Sequence, residues 1–273
     1  MADLLQVAGR EIKIGFRNPW SYSFLALFAV FSLSLLLIQS RDAVEGYSAA
    51  TGGMLSLILY LLPLMTLFLG AFSLTSEKED GSWQLLSTYP LSTFSFVAGK
   101  YAGLSVVLLA IVAFGYGLMG VVGAAVGTAI RADTYLLFVA FSAGLVLLFL
   151  SVAMIVGSLS RNRWQALTIG VALWFFLVIG WSTILIAGLG SLPYPWIKPA
   201  LVFLTFCNPA ELVRLFVVVK LGGGSVLGPE YYEWVGWMQG AGGTAVFLAA
   251  CAGWIAVFGG IVGWIWERGR SRG

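Results

Sequence analysis

The densest group of reactive side chains is Glu77-Lys78-Glu79-Asp80, followed by Gly81-Ser82-Trp83-Gln84-Leu85-Leu86 and closed by Pro90-Leu91-Ser92. Three carboxylates beside one ammonium can meet basic groups of a partner protein or stay solvated. Gly81 breaks the charged run, and Pro90 ends the segment. Between them Trp83, Leu85 and Leu86 offer apolar groups. Two readings stand. In one, a short helix lies along a surface and inserts these groups into a partner's groove. In the other, the segment is an acidic loop with one interfacial tryptophan. Arg161 and Arg163, next to Trp164, form a second charged group.

The inventory excludes much other chemistry. Histidine is absent, so a Ser-His pair, a His-Glu zinc motif and an imidazole copper ligand are all ruled out. Cys207 and Cys251 fall in different segments and read as unrelated apolar-site thiols. The six methionines and two cysteines form no ladder of soft ligands. No catalytic residue, metal site or cofactor is expected in this chain. Gly99-Lys100 lacks the pattern that precedes a phosphate-binding lysine. ATP-driven work must therefore come from another chain.

The elements that position these groups lie in a bilayer. Of 273 residues, 60% are hydrophobic and 10% charged, against about 25% charged in a soluble domain. Such a chain cannot cover a water-facing surface. A bilayer core takes roughly 20 apolar residues as helix. Six segments reach that length: Trp20–Gln39, Gly53–Leu74, Tyr101–Ala129, Tyr135–Leu159, Gln165–Leu189 and Gly242–Trp266. The expected fold is an all-α polytopic membrane bundle. None of the six carries a charge near its middle, which weighs against a proton- or sodium-driven pathway. Ala200–Val219 is apolar but interrupted by Asn208, Pro209, Glu211 and Arg214. It reads as short interfacial or re-entrant helices, with a seventh span as the alternative.

Residues 1–18 precede the first span. At about 100° per residue, Leu4, Leu5, Ala8, Ile12 and Phe16 share one side of a helix, and Asp3, Gln6, Arg10, Lys13 and Arg17 the other. Glu11 sits at the edge of the apolar arc. This is an amphipathic helix suited to the membrane interface, ended by Asn18-Pro19; residues 19–273 form the six-span domain. A signal-peptide n-region is the alternative, but a small-x-small cleavage site is lacking.

Basic residues set the orientation. With both termini on one side, that side collects Arg10, Lys13, Arg17, Lys78, Lys100, Arg161, Arg163, Arg268, Arg270 and Arg272, ten against the five of Arg41, Arg131, Lys198, Arg214 and Lys220. Both termini are expected in the cytoplasm. Gly99/Gly103, Gly123/Gly127 and Gly259/Gly263 are spaced by four, which allows close helix approach in lipid.

The segment after the second span resembles the signature of type-2 ABC exporter permeases, the ABC-2 family. An acidic pair, Gly-Ser, a leucine-rich turn and Pro-x-Ser occur in order as Glu79-Asp80-Gly81-Ser82, Leu85-Leu86 and Pro90-Leu91-Ser92. Thr93 departs from the basic residue often found there; Lys100 fits. The resemblance covers the whole chain. It implies a non-catalytic permease subunit in a bacterial or archaeal cytoplasmic membrane. Such a subunit forms a homodimer and pairs with separate ATPase subunits that hold ATP and Mg. It places ATPase coupling at Glu77, Glu79, Asp80, Gly81, Ser82, Trp83, Leu85, Leu86, Pro90, Arg161 and Arg163. Asn208-Pro209-Ala210-Glu211-Leu212-Val213-Arg214-Leu215 resembles, more narrowly, the NosY-like group associated with maturation of copper or sulfur sites in nitrous oxide reductase. That resemblance implies an extracytoplasmic NosD-like partner contacting Asn208, Pro209, Glu211 and Arg214. Membrane lipids are expected neighbours, and nucleic acid is not. The alternatives are an ABC-2 exporter of a lipid, peptide or drug, and a membrane scaffold without energy coupling.

Overall fold

The computed structural model describes residues 2–39, 47–81, 92–127, 131–191, 193–224 and 232–270. Of the expected coupling residues, Ser82, Trp83, Leu85, Leu86 and Pro90 lie outside them. Every long element is helical. Helix α1 (Ala2–Arg17) is followed by α2 (Pro19–Gln39), α3 (Ala49–Glu79), α4 (Thr93–Val126), α5 (Ala132–Leu159) and α6 (Arg163–Trp174). A π-helical turn, Phe175–Gly180, joins α6 to α7 (Trp181–Gly190). Then come α8 (Tyr194–Cys207), α9 (Pro209–Lys220), α10 (Tyr232–Gln239) and α11 (Ala241–Arg270). Six helices are long and apolar enough to cross a bilayer: α2, α3, α4, α5, the continuous α6–α7 unit and α11.

Local chemistry fixes the ends. Asn18 accepts from the Trp20 amide at 3.1 Å, and Pro19, with no amide hydrogen, starts α2 where none is needed. Ser48 and Thr51 form a reciprocal capping box at α3. Ser92 caps α4 by accepting from the Ser95 amide at 3.1 Å, and Asn162 caps α6 by accepting from the Gln165 amide at 2.8 Å. Gly127 ends α4 at φ 77° and Gly81 follows α3 at φ 70°, both in the left-handed region that favours glycine.

Helices α3 and α5 form the centre, with 67% of each span buried, whereas the α6–α7 unit and α11 bury 12% and 11% and face outward. The α3–α5 contact is close because it uses glycine. A Cβ on Gly157 would lie 2.9 Å from the Ala71 carbonyl, and one on Gly70 would lie 2.6 Å from Ala153 Cβ. The main core adds Phe28 of α2, Leu104 and Tyr116 of α4, and Leu212 and Val213 of α9. Both the first and the last described helices reach one end of the bundle, called the base here: α1 lies on the first turns of α4, and Trp266 of α11 stacks on Phe96 of α4 at 3.9 Å. Away from the base, α8 and α9 meet at 115° across Asn208, beside Leu177 midway along the α6–α7 unit and Trp254 midway along α11.

Candidate functional site

The base gathers the charges that the sequence scatters. Helix α1 buries the stripe Val7–Glu11–Gly15. This face is rotated from the purely apolar one, leaving Leu5 and Phe16 exposed. The cause is geometric and electrostatic. A Cβ on Gly99 would lie 2.8 Å from the Leu4 carbonyl, one on Gly103 2.6 Å from the Ala8 carbonyl, and one on Gly15 2.7 Å from Val107 Cγ2. Glycines on both helices therefore let the backbones approach closely. Glu11 then lies within 2.8 Å of Lys100 Nζ.

Lys100 is fully buried and also pairs with Glu77 at 3.1 Å; Glu77 in turn pairs with Arg10 at 3.0 Å. Ser73 Oγ donates to the second oxygen of Glu11 at 2.8 Å. Two acids balance two bases, as burial requires, because an unpaired charge here would cost several kcal/mol. The cluster joins α1, α3 and α4. The expected third span begins at Tyr101; the helix begins at Thr93, and Lys100 stays inside it because its charge is met.

Lys78 points the other way. Its ammonium donates to the carbonyls of Gly157, Ser158 and Ser160 at 3.0, 2.6 and 2.8 Å. It thus caps the C-terminus of α5, where carbonyls lack helical partners and a cation is favoured. Glu79 receives the Arg163 backbone amide at 2.8 Å and pairs with Arg163 Nε at 3.0 Å. Asp80, Gly81 and Arg161 are exposed. The end of α3 is thus tied both to the end of α5 and to the start of α6.

The residues expected to contact an outer partner build a corner instead of a surface. Asn208 is fully buried: its side-chain oxygen accepts from the Ala210 amide at 2.9 Å and its amide donates to the Leu177 carbonyl, in the π turn, at 2.7 Å. Pro209 is buried as the first residue of α9. Glu211, also buried, forms a two-pronged pair with the half-exposed Arg214. Trp254 of α11 donates to the Phe206 carbonyl at 3.1 Å, holding the end of α8. Trp174, just before the π turn, donates to the Tyr60 carbonyl of α3 at 2.9 Å. Among the described residues no group of three or more acidic or thiol side chains could hold a metal ion.

Among the described residues this arrangement is a set of helices joined by polar contacts at the base and midway along the spans, with no catalytic constellation. Residues 5–268 match the family described as ABC-2 family transporter protein. The chain belongs to this family. It is a multi-pass membrane protein and a permease subunit of an ABC transporter, and family membership implies an ABC ATPase as partner. Two relatives carry the name probable ABC transporter permease protein NosY. The one from Pseudomonas aeruginosa is 29% identical over 218 residues, covering 77% of this chain and 79% of the relative. The one from Stutzerimonas stutzeri is 26% identical over 239 residues, covering 84% and 86%.

Sequence reasoning missed the cluster's key partner, Glu11. The signal was an acid at the edge of an apolar arc together with Gly99/Gly103 flanking Lys100.

Proposed function

We propose that the base is the face on which a separate ABC ATPase acts, that both termini lie in the cytoplasm of a bacterium or archaeon, and that two copies of this chain form the working permease. The observation that carries this reading is the joining of the last turn of α3 to α1, α4, α5 and α6 through charged side chains. Lys78 ties the end of α3 to the end of α5, Glu79 ties it to the start of α6, and Glu77 ties it to Lys100 and Arg10. A force applied at the end of α3 would move these helices together. Helix α3, with 31 residues, is about 46 Å long at 1.5 Å per residue. It reaches Trp174 through the Tyr60 carbonyl, the π turn after Trp174 reaches the α8–α9 corner through Asn208, and α9 runs on from there to Lys220, which donates to the Gln239 carbonyl. This contiguous path supports mechanical transmission from the ATPase to the outer end. ATP and Mg belong to the partner.

The names of the two relatives and the segment Asn208–Leu215 support a NosY-like role. Motion would then be delivered to an extracytoplasmic, NosD-like protein concerned with the copper or sulfur sites of nitrous oxide reductase. With Asn208, Pro209 and Glu211 inside the fold, Arg214 is the member of that set available to a partner. Purification of the tagged chain from its native membrane, with identification of what accompanies it, tests the reading. An ATPase and an extracytoplasmic protein are expected in stoichiometric amounts. A chain recovered without any ATPase, from membranes in which one is made, refutes the coupling role; an ATPase recovered without the outer protein refutes the NosY-like role.

A further inference from the structure

The pair Gly259/Gly263 takes no part in the coupling path. It floors an apolar cleft of about 630 Å³ between α4, α5 and α11, within the roughly 300–1,000 Å³ typical of ligand sites. Phe94 and Val97 wall it on α4, Met154 on α5, and Ile255 and Trp264 on α11. A Cβ at Gly259 or Gly260 would meet no atom within 4 Å. Two hydroxyls in the lining are already engaged: Tyr101 donates to the Leu147 carbonyl at 2.9 Å and Ser151 to the Leu148 carbonyl at 2.6 Å. The interior offers a polar ligand little and an apolar chain a great deal.

The rim is different. Glu267 is exposed at the mouth and forms no ion pair with another described residue. Beside it the Arg268 guanidinium lies 3.7 Å from the centre of the Trp264 ring. Glu267 lines the cleft near the end of α11 and Arg268 is the next residue, while the apolar lining continues along the same helix from Trp264 to Ile255.

We propose that this cleft holds one acyl chain of a zwitterionic, amine-headed phospholipid of the surrounding bilayer, with its ammonium group on Glu267 and its phosphate on Arg268. The charge pair selects the headgroup, and the open space beside Gly259 and Gly260 admits the chain.

Native mass spectrometry of the full-length protein, titrated with phosphatidylethanolamine and with phosphatidylglycerol, tests this. One phosphatidylethanolamine is expected to be retained about tenfold more strongly than phosphatidylglycerol, a gap of about 1.4 kcal/mol. Gly260→Leu adds a side chain at a lining position where a Cβ meets no atom within 4 Å and should abolish retention. Gly253→Leu, on the same helix with open space around it but outside the cleft, should retain the lipid. Glu267→Gln should bring the two lipids to parity. Equal retention in Gly260→Leu and the unaltered protein overturns the site. Equal loss in Gly253→Leu shows ordinary surrounding lipid and overturns it too. Phosphatidylglycerol bound as tightly as phosphatidylethanolamine by the unaltered protein overturns the headgroup assignment. Efficient disulfide formation between two copies of Gly260→Cys would place a second copy, not a lipid, in the cleft.

Discussion

Glu11 and Lys100, 89 residues apart in sequence, meet at 2.8 Å with both side chains buried. This contact turns an amphipathic helix into part of the bundle, because it anchors α1 to α4 beside Glu77 in the last turn of α3. The cluster is balanced, so removing one member is costly in a way that removing an exposed pair is not.

Lys100→Met leaves Glu11 and Glu77 buried with Arg10 as their one remaining counter-charge among the described residues. Breaking a buried pair costs about 3–5 kcal/mol, which lowers the melting temperature by on the order of 10 °C for a chain of this size. Combining it with Glu11→Leu should restore part of the loss, because Glu77 keeps Arg10. Disruption of the exposed Arg131–Asp133 pair should leave melting within error. Thermal unfolding in one detergent compares all three; a Lys100→Met protein as stable as the unaltered one would remove the cluster's structural role.

The α8–α9 corner should depend on Asn208 in two ways. Asn208→Ala deletes the cap on Ala210 and the donor to Leu177, at a cost of about 1–3 kcal/mol for buried groups left unpaired. Asn208→Ser can restore the cap but not the bond to the π turn, and should recover part of the stability. If the bond to Leu177 transmits motion, both variants should keep ATPase binding but lose ATP-dependent change at the outer end, read by labels on α8 and α11. A serine variant that moves normally would show the Leu177 contact to be structural alone.

The spans were legible because apolar length is a strong signal, but their limits were not. Leu74 and Tyr101 look like span ends since Glu77, Lys78 and Lys100 carry charge. The helices nevertheless run to Glu79 and begin at Thr93, since each charge finds a buried partner or an open carbonyl. No count of residues in a window contains that information; it arises when α1, α3, α4 and α5 are brought together. Gly81 was readable as a break because its positive φ is a local need. Asn208 was readable only as a polar interruption, since its second partner, Leu177, lies 31 residues away. The burial of Glu211 likewise depends on α9 folding back into the core.

Topology follows from the basic bias together with the base geometry. Single cysteines introduced near Gly46 and Ser225, both outside the described residues, should react with an impermeant maleimide added to intact cells. Cysteines near Asn162 should react only after the membrane is opened. The reverse pattern would invert the molecule and move the ATPase face to the α8–α9 end.

The coupling contact is expected at residues 77–92, with Arg161–Trp164 and α1 beside it. Glu77 and Glu79 are engaged inside the permease, so they hold the segment in place; Asp80 is exposed and available to a basic group of the ATPase. Trp83 and Leu86 are the large apolar groups of this segment, and truncating such an anchor commonly costs about 2 kcal/mol or more. Trp83→Ala should therefore weaken ATPase retention roughly thirtyfold, at 1.4 kcal/mol per decade. Gly81 stands at φ 70°, which proline cannot adopt because its ring fixes φ near −65°. Gly81→Pro should redirect the segment and reduce stimulated ATP hydrolysis even where the ATPase still binds. Gly81 follows the end of α3 and Trp83 lies outside the described residues; insertion and melting are expected to be unchanged in both. Pull-down of the ATPase from membranes, paired with permease-stimulated hydrolysis, separates binding from coupling. Should Trp83→Ala bind and couple normally while changes at Arg161 or Arg163 abolish binding, the contact belongs to the α5–α6 connection, and the Glu79–Arg163 pair becomes the route by which α3 feels the push.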